Sequence, residues 1–354
     1  MSGYTGGGVV TEPTGRPTAA AMLGGRVGIG VAVSAVCVVL AARQVDWRAT
    51  LAALGAAQPV LLLAGGLCMV TMFLFFAVRW AILLDGIAPL PVPVAFAYLM
   101  IGYFANTALP MRLGDAVRVA LLGRRRDVDA SVLLGTVVVE RLVDLFFLLS
   151  IAISMLWIVD LPPLLRGGLL SAAAAGLGLV VVVGGLALGE RRLLDLSRRL
   201  PRLPAGVVPA RTAAFVARVA SGTRAVREPR QLARVFAATA LAWCAAGIGT
   251  AFWIAAFGVA APPYACLLVL AAVNLGGAVP SSPGGIGVYH TLAMLALSVW
   301  VADHNTTLAY AIGTHGAFTL VAIVCGLWAL AREGLSPRDL ASGRLAGQTV
   351  GAGR

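Results

Sequence analysis

The stretch NTALPMRLGDAVR, residues 106–118, places a proline and three charged side chains between strongly apolar segments. Proline breaks a helix because it lacks a backbone donor, and charged side chains are costly inside hydrocarbon. A second apolar segment is interrupted by PSSPGGIGVYH, residues 280–290. The fold is therefore decided by how these two breaks fit among the surrounding apolar segments.

The composition is that of a helical membrane protein. Of the 354 residues, 60% are hydrophobic and 12% are charged, and the mean hydropathy is +0.92. A water-soluble fold cannot bury this much apolar surface. Several apolar stretches reach the roughly 20 residues that a helix needs to cross a bilayer. Because short alternating strands are missing from the sequence, we expect an all-α polytopic protein.

Six segments are predicted to span the membrane. They lie near residues 24–43, 58–83, 131–158, 163–189, 232–258 and 306–331. The broken segments, about 92–125 and 262–302, are predicted as two re-entrant hairpins in inverted orientation, since this keeps the arginine-rich loops and both termini cytoplasmic. The two breaks share an order of Asn, Ala, Pro and Gly, which favours an inverted repeat with a substrate site between its halves.

Outside the apolar segments, the chain has two polar ends and one basic loop. We expect disordered tails at residues 1–25 and 333–354, and a membrane domain at 26–332 with a cytoplasmic basic loop at 190–231. The formal net charge of +12 comes from arginine without lysine. Because these arginines concentrate in loops, we attribute them to anionic lipid headgroups and expect no nucleic-acid partner. The residue bias favours a bacterial inner membrane.

Ionisable residues inside apolar segments are functional candidates by default. They are Arg112, Asp115 and Arg118 after the first break, Glu140, Arg141 and Asp144 in the following apolar run, and Arg79 near the end of an earlier span. Glu140 lies about 14 Å along its helix, close to the midplane. If the two sets face one another, Asp115, Glu140, Arg141 and Asp144 join the arginines in a neutral charge network. Arg79 is then an additional cation for a lipid headgroup, although ion pairs that only fix packing, or an interfacial anchor, remain alternatives.

The second break offers donors for an anion. A half-helix beginning after the break exposes backbone N–H groups, and Ser281, Ser282, Gly284 and Gly285 lie beside it. The same hydroxyls can instead satisfy the opened backbone, so both interpretations stay open. The residues expected to break or cap the helices are Asn106, Pro110, Gly114, Asn274, Pro280, Pro283 and Gly287.

Signals for catalysis and cofactors are weak. His290 lies near two serines, but no GxSxG elbow or acidic partner accompanies it. The histidines are scattered and the five cysteines form no CxxC pair, so we expect no metal site. No GxxxxGK[ST] loop occurs, and we expect no cofactor. We therefore expect no enzyme, with an intramembrane hydrolase or transferase as the weaker alternative.

Four motifs in order resemble the flippase-like membrane-domain family typified by the transmembrane region of lysylphosphatidylglycerol synthase. They are RW at 79–80, LPMRLGDAVR at 109–118, ERLVD at 140–144 and PSSPGGIGVYH at 280–290, and the resemblance extends over about residues 24–331. The family commonly has an acidic residue where this chain has His290, which we regard as a possible coupling residue. The soluble aminoacyl-transferase domain of the full synthases does not follow Arg332, so we expect no lipid aminoacylation.

The resemblance implies a transporter of an anionic, aminoacylated or polyprenyl-phosphate-linked lipid. The expected headgroup ligands are Arg79, Arg112, Arg118, Ser281, Ser282, Gly284 and Gly285, and the lipid tails are expected to stay in the bilayer. Transport is then downhill or ion-coupled. The alternative is a non-transporting scaffold that recruits a lipid-modifying or envelope-synthesis enzyme through its basic loop. The oligomeric state is not predicted.

Overall fold

A computed structural model describes residues 19–109, 113–179, 218–219, 222, 228–278 and 281–341. Within these ranges the chain forms helices and no strand, which confirms the all-α class. In chain order the helices are α1 (Ala19–Ala42), α2 (Trp47–Gly55), α3 (Pro59–Leu84), α4 (Val92–Ala108), α5 (Gly114–Arg126), α6 (Ala130–Ile158), α7 (Pro163–Leu179), α8 (Pro229–Ala256), α9 (Ala265–Leu275), α10 (Val288–Leu297), α11 (His304–Arg332) and α12 (Pro337–Ala341).

Within the described ranges, three helices, α3, α8 and α11, are long and apolar enough to cross a membrane. A fourth candidate is the pair formed by residues 30–42 of α1 and by α2, which is bent by 90°. The other predicted spans correspond to α6, which has 29 residues and carries three charges, and to α7, which is described only to Leu179. The count of six spans stays a prediction. Most of the predicted basic loop, and most of both predicted tails, lie outside the described residues.

The first broken segment folds as a hairpin of α4 and α5. The two helices pack closely where Gly102 faces Gly114, because a Cβ on Gly114 would overlap the Gly102 carbonyl oxygen. Asn106 fixes the return of the chain, since its Oδ1 accepts a hydrogen bond of 2.7 Å from the Gly114 N–H. The predicted hinge Pro110 and the predicted ligand Arg112 lie outside the described residues.

The second broken segment folds as a hairpin of α9 and α10, which are joined by two short 3-10 turns. The backbone at Gly284 and Gly285 has φ of 71° and 73°, a left-handed conformation that side chains with a Cβ rarely adopt. This conformation ends the turn and sends the chain into α10. Pro280 lies outside the described residues.

Helix α1 braces the second break. The Ser282 N–H donates to Ser34 Oγ at 2.8 Å, and Gly30 allows the backbone of α1 to approach the Ser281 carbonyl. One turn further on, the Thr291 hydroxyl donates to the Cys37 carbonyl at 3.4 Å. The broken backbone is therefore held by polar contacts with a neighbouring helix, as buried irregular backbone requires.

The core is built around α3 and α8. Their backbones approach at small residues, since Gly249 packs against Cys68 and the Gly65 carbonyl. Close approach of this kind suits a membrane protein, because apolar side chains gain little by leaving lipid and helices associate mainly through tight packing. Large apolar side chains cover the outside, including Leu63, Leu67 and Trp157, which are 70%, 69% and 87% exposed.

Helix α11 begins at a carboxylate cap outside the apolar span. Asp303 accepts hydrogen bonds from the Thr306 hydroxyl and from the backbone N–H groups of Asn305 and Thr306. These bonds favour the charged carboxylate and lower the pKa of Asp303 below its ordinary value. The cap also lies beside α2, because Asn305 Oδ1 accepts from the Asp46 N–H at 2.8 Å.

Replacing Gly114 with alanine should destabilise the α4–α5 hairpin, because the new methyl group meets the Gly102 carbonyl and forces the backbones apart. We expect a lower melting temperature and a smaller folded fraction in detergent, measured by size-exclusion chromatography after heating. The matched control is Gly66→Ala on α3, where no heavy atom lies within 4 Å of the added Cβ. Equal stability of the two variants would contradict this packing.

Replacing Asp303 with alanine should cost about 1 kcal/mol at neutral pH, the usual value of an N-cap. Since folding lowers the pKa of Asp303, its contribution is present above the unfolded pKa of about 3.9 and is lost as pH falls through the folded pKa. The melting difference between wild type and variant should therefore shrink from pH 7 to pH 3. Asp303→Asn, which keeps an acceptor but no charge, is the control. A difference that is independent of pH would refute the charged cap.

Candidate functional site

The two broken hairpins meet at one cavity of about 480 Å³. Asn106, Thr107 and Leu109 line it from the first break, and residues 281–285 line it from the second. The breaks come close to each other, because a Cβ built on Gly284 would lie 4.0 Å from the Thr107 carbonyl oxygen. Helices α3, α4, α5, α6, α8, α9, α10 and α11 supply the remaining walls.

Six ionisable side chains form a closed ring of alternating charge at one end of this cavity. The contacts run from Arg79 to Asp144, Arg141, Asp115, Arg118, Glu140 and back to Arg79. We call these six residues the charge ring. The distances include 2.9 Å between Arg118 Nη2 and Asp115 Oδ1, 3.3 Å between Arg141 Nη2 and Asp115 Oδ2, and 3.5 Å between Arg79 Nη2 and Glu140 Oε1. The ring carries three positive and three negative charges, so it is neutral as a whole.

Arg79 occupies a different place from the one that its sequence position suggested. It was expected to stand apart from the network as a headgroup cation, but its guanidinium pairs with Asp144 and Glu140, and the residue is only 2% exposed. It also lies 4.5 Å from the centre of the Phe76 ring. Its two carboxylate partners account for its charge, and Arg79 does not line the cavity.

The charge ring has a buried side and a cavity side. Arg79 and Glu140 are buried, whereas the side chains of Arg141 and Asp115 are 52% and 35% exposed and line the cavity. Arg118 lies between them, fully buried, with its guanidinium 4.5 Å from the centre of the Trp80 ring and its Nη1 without a hydrogen-bond partner. Arg141 is therefore the ring's most accessible cation.

The second break supplies hydroxyl and backbone groups to the cavity wall. Ser281, Ser282, Gly284 and Gly285 all line it. Part of their capacity is used locally, because the Ser282 hydroxyl lies 3.3 Å from the Ile286 carbonyl and the Gly285 N–H donates to the Ser282 carbonyl at 2.9 Å. Within the described residues, neither serine hydrogen-bonds to a histidine.

A pair of histidines lies behind this break. His290 Nδ1 accepts from the Gly287 N–H at 3.3 Å, and its ring centre is 4.9 Å from that of His315. His315 lines the cavity, and its Nδ1 has no hydrogen-bond partner. Sequence reasoning selected His290 and missed His315, because the two are far apart along the chain and only the packing of α10 on α11 pairs them.

The remaining hinge residues differ in what they contact. Asn274 lines the cavity, and its side-chain amide donates to the Leu270 carbonyl at 3.0 Å within α9. Pro283 begins the second 3-10 turn. The role of Ser34 was also missed, because a single serine in an apolar span does not indicate which residue of the second break it will contact.

In the part of the chain that is described, no three His, Cys, Asp or Glu residues are placed to hold a metal ion.

These features define a polytopic helical membrane domain in which two broken hairpins enclose a charged cavity. The family model described as the lysylphosphatidylglycerol synthase TM region matches residues 27–326, and the chain belongs to this family. A search of curated proteins gave no match. The family places the chain among membrane proteins of lipid metabolism or transport.

Replacing Arg79 with methionine should destabilise the fold by about 3–5 kcal/mol, since the ring then holds three carboxylates and two arginines and carries a buried negative charge that no cation balances. Replacing Asp144 with leucine in the same chain removes the excess charge, so the double variant should recover much of the loss. Melting of the single and double variants in detergent measures the difference. If Arg79→Met melts like wild type, the ring does not stabilise the fold.

Proposed function

We propose that the protein is a lipid flippase-like transporter that moves an anionic, aminoacylated or polyprenyl-phosphate-linked headgroup between leaflets. The observation that carries the proposal is the accessible guanidinium of Arg141 at the polar end of the cavity, with Arg118 behind it. Arginine suits a phosphate because its planar fork donates two hydrogen bonds and keeps its charge when partly dehydrated. We further propose a bacterial inner membrane with both termini cytoplasmic, and no enzymatic activity of the chain itself.

The charge ring supports headgroup binding by holding its arginines in place. Asp115 contacts both Arg118 and Arg141, so these two cations share one carboxylate that positions them. A prearranged site loses less conformational entropy on binding than one whose side chains must first be ordered. Because the ring is neutral, a headgroup phosphate would enter without meeting a net negative charge.

The second break supports headgroup binding by supplying polar groups opposite the arginines. Ser281 and Ser282 offer hydroxyls on the same cavity, and Gly284 and Gly285, in their left-handed turn, add no side chain to its wall. A headgroup held between arginines and hydroxyls would have polar partners while surrounded by apolar helices, which lowers the cost of crossing hydrocarbon. Arg112 belongs to this proposal by its position in the first break.

Energy for transport would come from a lipid gradient or a coupled ion. Histidine is the side chain whose charge changes most readily near neutral pH, and His290 and His315 adjoin the second break. We propose His290 as the coupling residue. A lipid-modifying enzyme that supplies or consumes the transported lipid would be a natural partner.

Replacing Arg141 with glutamine should reduce leaflet transfer of a fluorescent phospholipid in reconstituted vesicles by at least about tenfold, the equivalent of losing one charge-assisted hydrogen bond. The fold should persist, because Arg141 is half exposed and Asp115 and Asp144 keep Arg118 and Arg79 as partners. Transfer is measured by the fraction of the probe that dithionite can reach with time.

The matched control is Arg125→Gln, which removes a guanidinium that is 56% exposed and does not line this cavity. Wild-type transfer is expected for it. Arg112→Ala tests the first break in the same assay and should also abolish transfer. Unchanged transfer by a folded Arg141→Gln protein would remove the assigned headgroup role.

A further inference from the structure

The cavity extends well beyond the charge ring as an apolar arm. We use this name for the part lined by Gly65, Met69 and Met72 of α3, Ala246 of α8, and Val269 and Leu270 of α9. None of these side chains carries a charge or a strong hydrogen-bonding group. The cavity therefore has a polar end at the two breaks and an apolar end between α3, α8 and α9.

Two polar groups bordering the arm are satisfied within the protein, and a third, the indole N–H of Trp243, has no hydrogen-bond partner and is a single donor. The Thr250 hydroxyl donates to the Ala246 carbonyl at 2.8 Å, and the Trp253 indole N–H donates to the Leu62 carbonyl at 3.2 Å. A water molecule is stable in a cavity only when it finds two to four polar partners. The arm offers no such set, so water is a poor occupant.

The length of the arm matches a hydrocarbon chain. On α3 the cavity is lined from Phe76, beside the charge ring, to Gly65, eleven residues away. A rise of 1.5 Å per residue makes this about 16 Å. One leaflet contributes half of a hydrocarbon core of about 30 Å, so a lipid chain reaches about the same distance.

We infer that the apolar arm binds one hydrocarbon chain of the lipid whose headgroup lies at the charge ring. The inference rests on the proposed function for the identity of the polar end's ligand. It differs from the expectation that the lipid tails stay in the bilayer, because it places one chain inside the protein. Filling the arm with a chain restores dispersion contacts that an empty apolar space lacks. Flexible Met69 and Met72 can adjust to chains of different shape.

The test is photolabelling of the full-length protein in nanodiscs that contain a phosphatidylglycerol with a diazirine near the end of one chain. Helix α3 supplies its own reference. Met69 and Met72 are 4% and 9% exposed and line the arm, whereas Leu63 and Leu67 are 70% and 69% exposed on the outside. Surrounding lipid labels the outer pair in any case. We expect peptide mass spectrometry to find label on Met69 and Met72 as well, and label confined to Leu63 and Leu67 would overturn the inference.

Two variants narrow the arm from different walls. Ala246→Leu acts from α8, and Val269→Leu acts from α9. Each is expected to lower labelling of Met69 and Met72 at least tenfold while labelling of Leu63 stays constant. Unchanged labelling of Met69 and Met72 in a folded variant would count against a chain in the arm. If neither variant folds, the wild-type labelling pattern decides the question by itself.

The same purified protein, placed in nanodiscs for labelling and in vesicles for leaflet transfer, separates this inference from the transport proposal. Labelled Met69 and Met72 without leaflet transfer would keep the chain site and remove the transporter. Leaflet transfer with label only on Leu63 and Leu67 would keep the transporter and remove the chain site. Vesicle transfer and chain position are measured independently, so one result does not determine the other.

Discussion

The constraint on which this structure depends is that a charge inside hydrocarbon must have an opposite charge beside it. The charge ring meets this constraint with residues from three helices, α3, α5 and α6. Each arginine touches two carboxylates, and each carboxylate touches two arginines. The attraction is strong in a medium of low dielectric constant, whereas an unpaired charge would cost several kcal/mol. The ring therefore fixes how α5 and α6 rotate against α3, and with them the position of the first break.

The position of the breaks in turn creates the cavity. Irregular backbone is tolerated at membrane depth when it is buried in protein or lines a polar space. Here Asn106 satisfies the backbone of the first break, and Ser34 satisfies that of the second. Both breaks thus present polar groups to one space, which also contains the charge ring and continues as the apolar arm between α3, α8 and α9. An amphipathic molecule is the kind of ligand that fits such a division.

Much of the fold was predictable from the sequence, because long apolar runs and proline breaks have few physical solutions. The membrane class, the helical architecture and the family follow from such signals, and charges within apolar runs indicated a network. The pairing of Arg79 with Asp144 was not predictable, because it depends on how each helix is rotated about its own axis. A sequence indicates that rotation only when one face of the helix is polar and the other apolar, and here both faces are apolar. For the same reason the sequence did not indicate the apolar arm. His315 and Ser34 were not predicted, because each contacts a residue that is distant along the chain.

The closed form of the charge ring has a consequence for ligand exchange. If Arg141 swings toward an incoming phosphate, Asp115 still contacts Arg118, and Asp144 still contacts Arg79. The circle then becomes an open chain in which every remaining charge keeps a neighbour of opposite sign. An isolated ion pair would strand its carboxylate at the same step. One arginine of a ring can therefore turn to a ligand and return while every other charge of the ring keeps an opposite charge beside it.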